Sequence, residues 1–240
     1  MSKAPAHTLN ILVTVAALAG ALIAGPAAAQ LRITEWMYNG SGAGDRNEYV
    51  ELTNFGPTAI DLTGFSFDDI SRSPGAQSLS AFGSIASGQS VIFTEAAEGV
   101  FRTEWSLAPT VKVVGGNTNN LGRSDEINIY GAGPLFALID ALTYNDQGAG
   151  NVAGPRTQNV SGRARSAAAF GANNASLWVL SSIGDVEGSY ASVGGNIGSP
   201  GFTSFFVPAT TVVPVPGAAL LMLGGLGVLG FAGRRHSQTR

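Results

Sequence analysis

The chain contains no cysteine, and its two histidines, His7 and His236, both lie close to its ends. Everything between them therefore lacks a Ser-His-Asp triad, a cysteine nucleophile and a His- or Cys-ligated zinc or iron site. Lysine is almost as scarce. Lys112 is the only one between residues 30 and 216, and no Ser-x-x-Lys spacing places a serine nucleophile beside it. Without disulfides, an exported domain has to be held by its own packing, with bound ions as the only other aid. Basic charge is also short: residues 32–187 carry 16 acidic and 9 basic side chains, a net of −7. Such a surface has no electrostatic footprint for nucleic acid. Apolar periods of 3.6 residues are missing outside the two ends, and residues 167–170 offer a turn or two of helix at most.

The ends themselves read as addresses. Lys3 and His7 lead into an apolar stretch over residues 9–23, then Gly25-Pro26-Ala27-Ala28-Ala29-Gln30. A positive start, an apolar middle and an Ala-x-Ala close are the three parts of a secretory signal. Residues 1–29 are thus expected to form a signal-peptide helix that signal peptidase cuts after Ala29. Ala27 and Ala29 supply the small side chains, and Gln30 becomes the first mature residue. The helix-breaking Gly25-Pro26 pair favours cleavage over a lasting anchor.

Residues 217–233 are 17 uncharged positions rich in Gly, Leu and Ala, preceded by Val213-Pro214-Val215-Pro216 and followed by Arg234-Arg235. A spanning helix needs about 17–25 apolar residues, and only a helix satisfies its own amides in hydrocarbon. The arginine pair is a basic stop that stays cytoplasmic. The expectation is a single transmembrane helix over 217–233 and a cytoplasmic tail over 234–240. The prolines hold the preceding peptide extended and accessible.

This order of proline motif, Gly/Leu-rich run and basic tail resembles the PEP-CTERM sorting signal of exported bacterial proteins, with Val215 standing where that family has glutamate. The resemblance implies processing by an exosortase-like enzyme. It also implies transient anchoring in the inner membrane, then delivery to the cell envelope, surface or extracellular polymer matrix.

The chain between reads as β almost throughout. Strands are expected at 31–38, 48–54, 64–68, 90–94, 111–114, 126–130, 136–144 and 177–180, separated by Gly/Asn/Ser/Pro clusters. Alternation is clean where Val50 and Leu52 oppose Tyr49, Glu51 and Thr53. Beyond Leu180 glycine and serine accumulate, so the chain from 188 is expected to close the domain and then become a linker over 202–216. Ile33-Thr34-Glu35, Glu48-Tyr49-Val50-Glu51-Leu52-Thr53-Asn54, Ile60-Asp61-Leu62-Thr63-Gly64-Phe65, Ile139-Asp140-Ala141-Leu142-Thr143-Tyr144 and Gly198-Ser199-Pro200-Gly201 occur in that order. Together they resemble a lamin-tail domain over residues 31–201. The resemblance implies an all-β, immunoglobulin-like β-sandwich, assigned here to residues 30–201.

Chemistry in this domain rests on carboxylates and aromatics. Glu35, Glu48 and Glu51 are candidates for the acid/base pair of a hydrolase. The alternative expectation is that they lie on a solvated strand face or pair with Arg32 or Arg46. Asp68-Asp69 and Asp45-Arg46-Asn47-Glu48 offer oxygens to Ca²⁺, although neither forms an EF-hand loop. Trp36, Tyr38, Tyr49 and Trp105 form either a platform for sugar rings or core packing, and packing is favoured. No catalytic residue, resident metal or cofactor is assigned. The expected role is a non-enzymatic structural or adhesive module meeting exopolysaccharide or surface proteins. The competing readings are a carbohydrate- or calcium-binding module and a carboxylate-dependent hydrolase.

Overall fold

A computed structural model of the protein describes residues 30–41 and 47–208. The expected features at 1–29 and 213–240 lie outside the described residues, as do Asp45 and Arg46. Among the described residues no helix is long and apolar enough to cross a membrane.

The domain is mostly β-sheet, with one α-helix among the described residues. The larger sheet has six strands. Its centre is β1 (Leu31–Met37) beside β2 (Tyr49–Asn54); β7 (Ser90–Thr94) and β8 (Lys112–Val114) continue one side, β11 (Gly162–Ala164) and β12 (Trp178–Leu180) the other. All neighbours are antiparallel except β7 and β8. The facing sheet runs β10 (Leu138–Asn145), β9 (Ser124–Tyr130), β4 (Ser66–Asp68) and β5 (Gln77–Ser78). Two short pairs complete the strands: β3 (Ile60–Asp61) with β6 (Ser84–Ile85), and β13 (Tyr190–Ala191) with β14 (Ile197–Gly198).

The main core fills the space between the sheets. Ile33, Trp36, Val50, Leu52, Val91 and Phe93 come from one side, and Phe67, Ile127, Ile129, Leu142 and Tyr144 from the other. Trp36 meets Tyr144 at 4.1 Å between ring centroids and Phe67 meets Phe93 at 4.6 Å, so aromatic pairs join the two layers.

The second face of the six-stranded sheet is covered as well. Helix α1 (Glu98–Glu104) lies over it, and Met37, Tyr49, Ile92, Phe101, Trp105 and Val113 form a second cluster beneath. The chain after β12 finishes the cover: the Tyr190 hydroxyl donates to the Trp105 carbonyl and Ser161 N–H donates to the Ile197 carbonyl. As a result every residue of β2 is buried, on both faces. The solvated strand face expected for Glu35, Glu48 and Glu51 is therefore corrected: all three are buried. Arg32 does not pair with them either, because its guanidinium donates to the Leu31 and Ile139 carbonyls.

Helix α1 had no counterpart in the apolar period, for a clear reason. It is seven residues long, contains Gly99, and buries a single side chain, Phe101. Glu98 in its first turn bonds Arg102 in its last, the orientation the helix dipole favours.

One pole of the sandwich holds both ends of the described chain. The Gln30 carbonyl accepts from Phe55 N–H at 2.8 Å, and the Phe55 ring lies 6.2 Å from Phe206. The β9–β10 connection is at the same pole, since Arg32 reaches the Ile139 carbonyl and Ile33 N–H donates to Asp140.

Candidate functional site

Glu35 and Glu51 sit directly opposite each other on β1 and β2. An irregularity between Ile33 and Glu35 shifts the register there, a bulge that gives the strand one extra residue, Thr34. The shift brings the Thr34 hydroxyl within 2.6 Å of Glu51 Oε1, on the face covered by the C-terminal segment.

Both carboxylates are sealed, with 2% and 0% of their residue surface exposed. Their hydrogen bonds come from hydroxyls and backbone amides alone. Glu35 Oε1 accepts from the Ser161 hydroxyl, from Ser199 N–H at 2.8 Å and from the Ser199 hydroxyl at 3.3 Å. Glu51 Oε1 accepts from Thr34 and Ser90, and Glu51 Oε2 from Gly201 N–H at 2.6 Å. Thr34, Thr53 and Ser90 form a hydroxyl chain beside Glu51, and Ser161 continues to Ser181. The Tyr49 hydroxyl reaches towards Glu35 but is not aligned for a full hydrogen bond, and Glu35 Oε2 also lacks one.

Two acids side by side without a cation cannot both stay charged at low cost. Burial pushes Glu35 up to about 7, against the opposing pull of the Ser161 hydroxyl and Ser199 amide. Burial, followed by the charge of Glu35, raises Glu51 well above the ordinary carboxylate range. Burial and the Glu35 charge also hold the Tyr49 phenol well above its usual value. Near neutrality the pair consequently keeps at least one proton. It is a neutral or singly charged polar layer, and it fastens the C-terminal segment to the sheet.

Fit at this layer is close. A Cβ built on Gly198 would stand 2.6 Å from the Tyr49 hydroxyl and 3.0 Å from both Glu35 Oε1 and Ser161 Oγ. Only glycine lets the backbone approach the pair this closely.

The other candidates are engaged in structure. Glu48 Oε2 accepts from Leu121 N–H at 2.7 Å. Asp68 receives the Ser71 hydroxyl, Ser73 N–H and the Asn119 amide, while Asp69 receives Ser71 N–H, so the pair organises a turn. Among the described residues no group of three or more acidic side chains is arranged to hold a metal ion. Trp36, Tyr38, Tyr49 and Trp105 are all buried, which leaves no platform for sugars in those rings. Gln30, the expected first mature residue, begins the described chain. Ala27, Ala29, Val213, Pro214, Val215, Pro216, Arg234 and Arg235 are outside it.

An open groove of about 530 Å³ runs between Ala81, α1 and β8. Glu98 lines it, and an adjoining hollow of about 320 Å³ adds Arg102 and Lys112, so one carboxyl faces this space and no pair of carboxyls meets there. The carboxylates that do stand together have no opening to solvent. Of the residues that seal them, Ser199 and Gly201 belong to the Gly/Ser-rich stretch expected only to close the domain, and Ser161, just before β11, lies in a segment with no expected role.

The family model described as Lamin Tail Domain matches residues 24–146. The match ends with β10, so it contains Glu35, Glu48 and Glu51 but none of the segment that covers the first and third. Comparison with curated proteins and with solved structures gave no match.

Proposed function

Because the chain belongs to the lamin tail domain family, whose immunoglobulin-like members are generally non-catalytic, we propose that it is a non-enzymatic structural or adhesive module. It is exported and then sorted to the cell envelope or extracellular polymer matrix. The observation that carries the non-enzymatic reading is the sealing of Glu35 and Glu51. General acid/base chemistry needs a carboxyl within reach of a bound substrate, and these two are held by Ser161, Ser199 and Gly201 instead.

The sorting half of the proposal rests on the sequence of the two ends. A signal peptide over 1–29 sends the domain out, and a span over 217–233 stopped by Arg234-Arg235 holds it for an exosortase-like enzyme acting at 213–216. Both ends of the described chain leave at one pole, which suits a domain standing on a membrane-side stalk. Cell fractionation combined with mass spectrometry of the mature C-terminus tests this. A product that starts at Gln30, ends near Pro216 and is found outside the inner membrane is expected. Protein ending at Arg240 and stably embedded in the inner membrane refutes the sorting step.

A further inference from the structure

The connection between β9 and β10 is unusual in composition. Its residues 131–137 and the first two of β10 read Gly-Ala-Gly-Pro-Leu-Phe-Ala-Leu-Ile, without one polar side chain. Turns between strands are ordinarily built from Asn, Asp, Ser and Gly, whose polar groups serve the backbone and face water. Here Leu135 is 89% exposed, Leu138 56% and Phe136 40%. The hairpin is nonetheless a formed turn: Gly131 N–H donates to the Ala137 carbonyl and Phe136 N–H to the Gly133 carbonyl. Its apolar side chains thus project from a fixed frame, at the pole where Gln30 and Phe206 also lie.

We propose that the hairpin tip at Leu135, Phe136 and Leu138 docks into a lipid surface while the chain is tethered there. The proposal rests on the membrane reading of residues 217–233. Residues 209–216 separate the last described residue from that run and span at most roughly 30 Å when extended. The pole carrying the tip is therefore kept within that distance of the bilayer, at a high effective concentration for a weak insertion. Val207, also exposed, lies between the domain and this tether. A second protein copy is a poor occupant. Three side chains on a narrow, convex turn fall well short of the roughly 800 Å² per partner of a stable interface. Lipid requires no complementary shape. The rest of the domain, acidic overall, is repelled by anionic headgroups and stays clear of them.

The lack of cysteine makes the test direct. Leu135→Cys, Gln147→Cys and Leu226→Cys variants of the full chain each carry one environment-sensitive fluorophore. They are reconstituted in phosphatidylethanolamine/phosphatidylglycerol vesicles containing spin-labelled lipid. Gln147 is exposed and lies at the opposite end of β10 from the tip, so its label stays in water. The expected result is lipid quenching at 135 and 226 but not at 147. Adding Phe136→Ser and Leu138→Ser should lower the docking equilibrium at 135 about tenfold. Quenching at 226 with position 135 behaving like 147 overturns the docking and leaves the membrane reading standing. No quenching at 226 overturns both. A label at 135 shielded from aqueous iodide but untouched by lipid quencher shows a protein-covered tip, and also overturns the proposal.

Discussion

Replacing Glu35 by glutamine removes one of the two titrations of the buried pair while keeping a carbonyl oxygen for Ser161 and Ser199. In the wild type, Glu35 is raised from 4.5 to about 7 in the folded state. The folded protein holds this proton more tightly than the unfolded chain does. The associated stability is fully present below about pH 4.5 and is lost as pH rises through about 7. A displacement of this size at about 1.4 kcal/mol per unit amounts to about 3 kcal/mol between pH 4 and pH 8. Glu51 moves in the same direction, and losing the Glu35 charge relieves it too, which acts with the same sign. Asp140, pushed up to about 6 mainly by burial, contributes equally to both proteins and cancels in the difference. Urea unfolding followed by the buried Trp36, Trp105 and Trp178 supplies the measurement. Relative to wild type, E35Q is expected to gain about 3 kcal/mol between pH 4 and pH 8. Parallel stability curves for the two proteins across that range would falsify the reasoning, because Glu35 would then titrate as an ordinary exposed carboxyl.

Two further substitutions probe the cover itself. Gly198→Ala forces a methyl against Tyr49, Glu35 and Ser161; overpacking of this kind costs about 1–3 kcal/mol in urea unfolding, and an unchanged midpoint would mean that β14 is not seated on the pair. Asp185→Ala leaves the Arg163 guanidinium, now 2.6 Å from Asp185 and 16% exposed, without its counter-charge. It should cost about 3 kcal/mol or more, and adding Arg163→Met should recover part of that loss; strictly additive effects in the double-mutant cycle would rule out a coupled pair.

Much of the sandwich was legible because its longer strands carry β-branched and aromatic residues between Gly and Asn breaks. β7 falls at the expected residues, and the other seven expected strands end within two residues of the observed ones. The two-residue strands β3, β5, β6, β13 and β14 are too short to alternate. β11 reads Gly-Arg-Ala, with nothing typical of a strand, and is placed by its partners β1 and β12. The more instructive failure concerns β2. Alternation of Val50 and Leu52 with Tyr49, Glu51 and Thr53 correctly identified which side faces the main core. It could not report that the other side is dry, because that depends on α1 and on a segment more than 100 residues later. A usable signal was present in Tyr49 and Thr53, which flank Glu51 on that face and are not typical of a charged, solvated surface.

The buried acids and the Gly/Ser-rich tail account for each other. From β12 onward the chain offers few large apolar side chains to bury, and several it has, Ile183, Val186, Val193 and Phe202, are exposed. Its attachment therefore cannot come mainly from hydrophobic area. What it brings to the sheet is backbone: the Ser199 and Gly201 amides would be costly to bury without acceptors. Glu35 and Glu51 supply those acceptors, and a carboxylate oxygen takes an amide more strongly than a neutral carbonyl does. The acids in turn tolerate burial because those amides and the Ser161 hydroxyl stabilise them, and because the pair retains a proton. Replacing the layer with apolar residues would remove the directional bonds that fix which backbone atoms meet which strand. Polar layers of this type set register more than they add stability, and a tail of glycines and serines has little else to define its position.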